Sequence, residues 1–100
     1  MSDVLIQPLA DGSYQVSGEL TLFTVGSVLG RNILPLGDHG AMLRLDLSQV
    51  SYADSGGLAL LIAWARQARE ADKSLIFYGV SGKLASLARV TGVDRVLSFQ

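Results

Sequence analysis

One hundred residues with 49% apolar content are enough to bury a core, and the absence of cysteine rules out disulfide and thiolate-metal support. The formal net charge is −1 with no basic cluster, which argues against a nucleic-acid partner or an anionic membrane surface. Met1-Ser2-Asp3 lacks the charged and apolar regions of a signal peptide, and the longest apolar run, Leu58 to Ala65, falls far short of a bilayer span. The expectation is one cytoplasmic domain over residues 1–100.

Val4 to Leu9 reads as a first strand, with Pro8 favouring a sheet edge. Asp11-Gly12 is a hairpin turn, after which Tyr14, Val16 and Gly18 alternate with polar residues in a second strand. Thr21 and Thr24 flank the start of a helix whose apolar stripe is predicted at Leu22, Val25, Val28 and Leu29. Gly26 and Gly30 weaken that helix by about 1 kcal/mol each relative to Ala. Asp38-His39-Gly40 reads as a loop, and Ala41 to Leu47 as the clearest strand in the chain.

The strongest helix follows, over Ser55 to Asp72, with Leu58, Leu61, Ile62, Ala65 and Ala68 as its inward stripe. Ser74 to Tyr78 is a strand closed by Gly79. Ser81 to about Val90 is a helix, with Leu84, Leu87 and Ala88 inward, stopped by Gly92. Val96, Leu97 and Phe99 suggest a last strand. The order β-β-α-β-α-β-α-β predicts an α/β fold: a mixed, mostly parallel sheet of four to five strands with helices packed on it.

Tyr52-Ala53-Asp54-Ser55-Gly56-Gly57 lies where a strand ends and that long helix begins. Asp and Ser offer short oxygens to the open N–H groups of a first helical turn, and the helix dipole places partial positive charge there. The two glycines are expected to leave those donors bare enough for another protein to approach. The same four residues also make an ordinary helix cap. Leu60 and Trp64 lie on a flank away from the Leu58/Leu61/Ile62 stripe, so a partner surface of Asp54, Ser55, Gly56, Gly57, Leu60 and Trp64 is predicted. Cover of Leu60 and Trp64 by the first helix or a loop is the alternative.

Enzyme chemistry finds little support. Asp54-Ser55-Gly56 matches the aspartic-protease signature, but it opens a long helix, whereas that fold is nearly all β. No G-x-S-x-G elbow is present, and the single histidine is His39. No metal-ligand spacing exists. Gly79-Val80-Ser81-Gly82-Lys83 lacks the full phosphate-loop pattern and reads as a strand-to-helix turn. No catalytic residue, metal or cofactor is expected.

Gly18-Glu19-Leu20, Leu45-Asp46-Leu47-Ser48-Gln49-Val50 with Tyr52 to Leu58, Gly79-Val80-Ser81, and Leu87 to Val93 together resemble the landmarks of the STAS domain family. The resemblance implies the same element order over nearly the whole chain. In anti-sigma factor antagonists of this family, the serine after the motif aspartate is phosphorylated by a partner kinase, and Ser55 occupies that position. Those proteins usually have Asp after Gly-Glu-Leu, where this chain has Thr21. They often read D-S-[ST]-G-L-G, where this chain reads Asp54-Ser55-Gly56-Gly57-Leu58-Ala59. On these departures the chain looks more like the small STAS subunit of Mla-type phospholipid ABC transporters. That resemblance implies a non-catalytic subunit that binds the transporter ATPase and supports outer-membrane lipid asymmetry, touching the membrane only through the complex. The alternative it implies is an anti-sigma factor antagonist, bound by an anti-sigma factor kinase and switched at Ser55.

Overall fold

The computed structural model describes residues 4–29, 34–37 and 42–100. His39, Met1 to Asp3, Gly30 and Ala41, all used in reading the sequence, lie outside the described residues. The elements are β1 (Leu5–Pro8), β2 (Tyr14–Leu20), α1 (Leu22–Leu29), β3 (Met42–Ala53), α2 (Ser55–Glu70), β4 (Ser74–Tyr78), α3 (Gly82–Thr91), a 3-10 turn (Val93–Arg95) and β5 (Ser98–Phe99). They form one five-stranded sheet in the order β1-β2-β3-β4-β5. Only β1 runs antiparallel to its neighbour; β2, β3, β4 and β5 are mutually parallel. The predicted α/β architecture is the observed one, and Pro8 sits on an edge strand, where a missing N–H breaks no ladder.

One sheet face is covered and the other solvated. Along β3, Leu43, Leu45 and Leu47 are buried while Arg44 and Ser48 are exposed, the alternation of a half-buried strand. Val16 and Leu20 of β2 and Leu75 and Phe77 of β4 join the same core. Phe77 meets Phe99 edge-to-face at 5.9 Å, which ties β5 to β4. Above this face lie Leu58, Leu60, Leu61, Trp64 and Ala68 of α2, with Leu84 and Ala88 of α3. Gly92 ends α3 in the left-handed conformation, φ 80°, as its position in the sequence predicted.

Three details differ from expectation. Strand β3 continues to Ala53 rather than ending near Leu47, because β2 pairs alongside it as far as Leu20↔Ala53. The buried face of α1 comprises Thr21, Thr24, Val25 and Val28, while Leu22 is 69% exposed. The phase is set from Thr21. Its Oγ1 accepts from the Phe23 and Thr24 N–H groups at 3.2 and 3.4 Å, and its own N–H donates to Thr24 Oγ1 at 3.0 Å, a reciprocal cap. In α2, Leu58, Leu61 and Ala68 are buried as expected, but Ile62 and Ala65 are only half-buried, and Leu60 and Trp64 join the buried set.

The β1–β2 hairpin closes on a carboxylate. Asp11 Oδ1 accepts from the Ser13 N–H at 3.0 Å and from the Ser13 hydroxyl, which also meets the Tyr78 hydroxyl at 2.9 Å. The hydroxyl bond first, then the backbone bond, holds the Asp11 carboxyl below its ordinary range. A depressed carboxyl pKa contributes stability above the unfolded-state value, and this is lost as pH falls through the folded-state value. Hydrogen-exchange protection of the hairpin amides Leu9 and Gly12 should therefore weaken on acidification through that window. Ser13→Ala should raise the Asp11 titration followed by NMR. An Asp11 titration unmoved by that change would show that the hydroxyl bond is not its cause.

Candidate functional site

The first turn of α2 rests directly on the junction between β2 and α1. The Asp54 N–H donates to Leu20 O at 3.0 Å. A Cβ placed on Gly57 would lie 2.6 Å from Leu20 O, and one on Gly56 would lie 2.6 Å from Leu22 N. The two sequence blocks around Gly18-Glu19-Leu20 and Asp54-Ser55-Gly56-Gly57 are therefore two halves of one joint. Glycine is required there because backbone meets backbone.

Asp54 is the cap of this turn. It is extended (φ −130°, ψ −164°), and its Oδ1 accepts from the Gly56 N–H at 2.8 Å. Its carbonyl accepts from Gly57 N at 3.0 Å and Leu58 N at 3.3 Å. Ser55 is the first helical residue, exposed at the carboxyl end of β3. Among the described residues its hydroxyl makes no hydrogen bond. Capping thus belongs to Asp54 alone, and the Ser55 hydroxyl is held out to solvent by a rigid turn.

Four of the predicted partner-binding residues are placed differently from expectation. Gly56 and Gly57 are buried, so they are not a bare landing site; they are the close contact between α2 and the β2–α1 junction. Leu60 and Trp64 are 0% and 2% exposed, and they return to the core. Helix α1 packs on α2, and with the sheet it covers two sides of that helix. Of the predicted surface, Ser55 is exposed and Asp54 half-buried.

The sequence reading missed the apolar surroundings of Ser55. Leu22 and Phe23, 69% and 81% exposed, begin α1 beside the Gly56 contact. Tyr52 is 44% exposed just before the turn. Lys83 covers its ring at 4.3 Å and donates to its hydroxyl at 3.3 Å. The Thr21/Thr24 pair was the available signal: phasing α1 from Thr21 leaves Leu22 and Phe23 outward. Among the described residues no cluster of His, Cys, Asp or Glu has the makings of a metal site, and no helix is long and apolar enough to cross a membrane.

A protein-family model described as "Mlab, STAS domain" matches residues 8–98. An anti-sigma-B factor antagonist of Staphylococcus aureus is 34% identical over 84 residues, covering 83% of this chain and 77% of that protein. The anti-sigma-B factor antagonist of Bacillus subtilis is 30% identical over 89 residues, covering 89% and 81%. That of Listeria monocytogenes is 29% identical over 85 residues, covering 85% and 75%. Among solved structures, the anti-sigma factor antagonist SpoIIAA in its unphosphorylated form superposes with a TM-score of 0.60 over 93% of this chain and 96% of that chain, at 14% identity. A likeness at that identity carries the fold alone.

These relatives overturn the expectation of a phospholipid-transporter subunit bound to an ABC ATPase. The curated relatives are anti-sigma-B factor antagonists, so the function expected first gives way to the alternative. The structure explains why the two departures misled. Thr21 occupies a helix cap, a position that Asp and Thr both fill. Gly56 and Gly57 answer to a steric contact, which says nothing about the partner.

Proposed function

This chain belongs to the STAS domain family, and from that membership we propose that it is a non-catalytic regulator that binds an anti-sigma factor kinase in the cytoplasm and is switched by phosphorylation of Ser55. The carrying observation is the exposed Ser55 hydroxyl at the first position of α2, with no bond of its own among the described residues. The likeness to anti-sigma-B factor antagonists supports the choice of partner.

The chemistry asked of this chain is small. Ser55 Oγ attacks the γ-phosphorus of ATP held by the partner, the bond to ADP breaks, and the hydroxyl proton leaves to the partner or to water. The product adds about −1.5 to −2 charges beside Asp54. The N–H groups of Gly56, Gly57 and Leu58 are already bonded to Asp54, so the phosphate does not fold into the helix start. It projects outward at the end of the domain where Leu22 and Phe23 begin α1 with exposed side chains. A partner seated over Ser55 would have to desolvate the phosphate, which drives release.

An affinity pull-down from the source cells, read by mass spectrometry, identifies the partner and the phosphosite together. Recovery of an anti-sigma kinase and a phosphate on Ser55 is expected. Ser55 is exposed and, among the described residues, unbonded, so Ser55→Ala and Ser55→Glu should each shift stability by no more than about 0.5 kcal/mol. Ser55→Glu should weaken the complex by about tenfold or more, roughly 1.4 kcal/mol, and Ser55→Ala should bind whether or not ATP is supplied. Wild-type binding by both variants, under conditions where wild type is released by ATP, would sink the switch.

A further inference from the structure

A cleft of about 360 Å³ opens at the other end of α2, between the last turns of that helix, the start of β4 and the segment leading into β5. Arg69, Lys73, Val96 and Ser98 are among its lining residues, and a narrower continuation adds Ile62 and Arg66. Arg69 is fourteen positions along α2 from Ser55, about 21 Å at 1.5 Å per residue, so this cleft lies outside the surface described above.

Arg66 and Arg69 stand three apart, on neighbouring positions of one helix face. Both are exposed, and among the described residues neither guanidinium has an ion pair or hydrogen bond. Helix capping does not account for Arg69. The carbonyls of Gln67, Ala68 and Arg69 already accept from the backbone N–H groups of Ala71, Asp72 and Lys73. Two like charges one helical turn apart therefore line the cleft and its continuation, with Lys73 lining it too and Asp72 the one carboxylate on its wall among the described residues. The same continuation is lined by the apolar residues Ile62, Ala65, Val96 and Leu97, with Val96 63% exposed. The Ser74 and Ser98 residues stand at the rim.

We propose that this cleft binds a small phosphate monoester carrying a compact apolar body. A dianionic phosphate answers two adjacent guanidiniums better than a carboxylate does, since planar forks bind phosphate oxygens in pairs. The apolar lining takes the ester group, and the cleft volume is within the range of small-molecule sites. No covalent step is involved.

Phenyl phosphate is the probe, titrated into the isotope-labelled protein and followed by amide NMR. Saturable shifts confined to Ala65, Arg69, Ser74 and Ser98 are expected, with a Kd of order 1 mM. The double variant Arg66→Gln/Arg69→Gln should weaken binding at least about tenfold, because charge-assisted bonds to phosphate are lost. Its unchanged melting temperature would show that the fold survives. Arg89→Gln, an exposed arginine outside the cleft, should leave the titration as in wild type. Inorganic phosphate, phenol and benzoate should each bind more weakly than phenyl phosphate. Equal binding of any of the three, shifts elsewhere on the domain, or full binding by the double variant would overturn the assignment.

Discussion

Trp64→Ala should destabilise the domain by about 3–5 kcal/mol rather than strip it of a partner. Trp64 is 2% exposed on α2, among the largest fully buried side chains of the core. Its removal leaves a void bounded by secondary-structure elements that are tied to one another through the sheet and the β2–α1 joint, so the site has little freedom to collapse. A small domain has a total stability of about 5–15 kcal/mol, so a loss of this size is a large fraction of the whole. Urea denaturation should be followed by far-UV circular dichroism, because Trp64 is the only tryptophan and the variant loses its fluorescence. A midpoint equal to wild type, with partner binding lost, would return Trp64 to a surface role.

Gly56→Ala should also destabilise, by about 1–3 kcal/mol or more, although alanine is the better helix former by about 1 kcal/mol. The added methyl would meet Leu22 N at 2.6 Å, Leu22 Cα at 2.8 Å and Thr21 C at 2.9 Å. All three are backbone atoms, so relief requires α2 to lift from the start of α1. Gly57→Ala meets Leu20 O at 2.6 Å and should behave alike. Gly26→Ala supplies the control. Among the described residues nothing lies within 4 Å of a Cβ at Gly26, so the same substitution in α1 should stabilise by up to about 1 kcal/mol. Thermal melts of the three variants test the contrast. Destabilisation of equal size at Gly26 and Gly56 would remove the steric account of the joint.

The misplacement of Trp64 and the placement of Ser55 at the helix start have different origins. In α2 the run Leu58 to Ala65 is apolar on almost every side, so periodicity alone leaves its rotation open. The sheet, α1 and α3 all pack against the helix, so more than one stripe is buried and the sequence pattern resolves only one. The strand ends, the caps and the turn residues are different in kind. Asp11-Gly12, Asp54, Ser81 and Gly92 act on their immediate neighbours, and the structure finds each of them at the turn or helix end where the sequence placed it.

By itself, then, the sequence determined the element order, the mixed sheet with its antiparallel edge hairpin, and the start of α2 at Ser55, because these rest on alternation, capping and turn chemistry within a few residues. Tertiary structure alone decided that Gly56 and Gly57 are contacts rather than openings, that Leu60 and Trp64 are core, and that Leu22 and Phe23 face outward beside Ser55. Each of those outcomes depends on which backbone lies opposite, across some thirty residues of chain, and a sequence pattern carries no record of what packs against it.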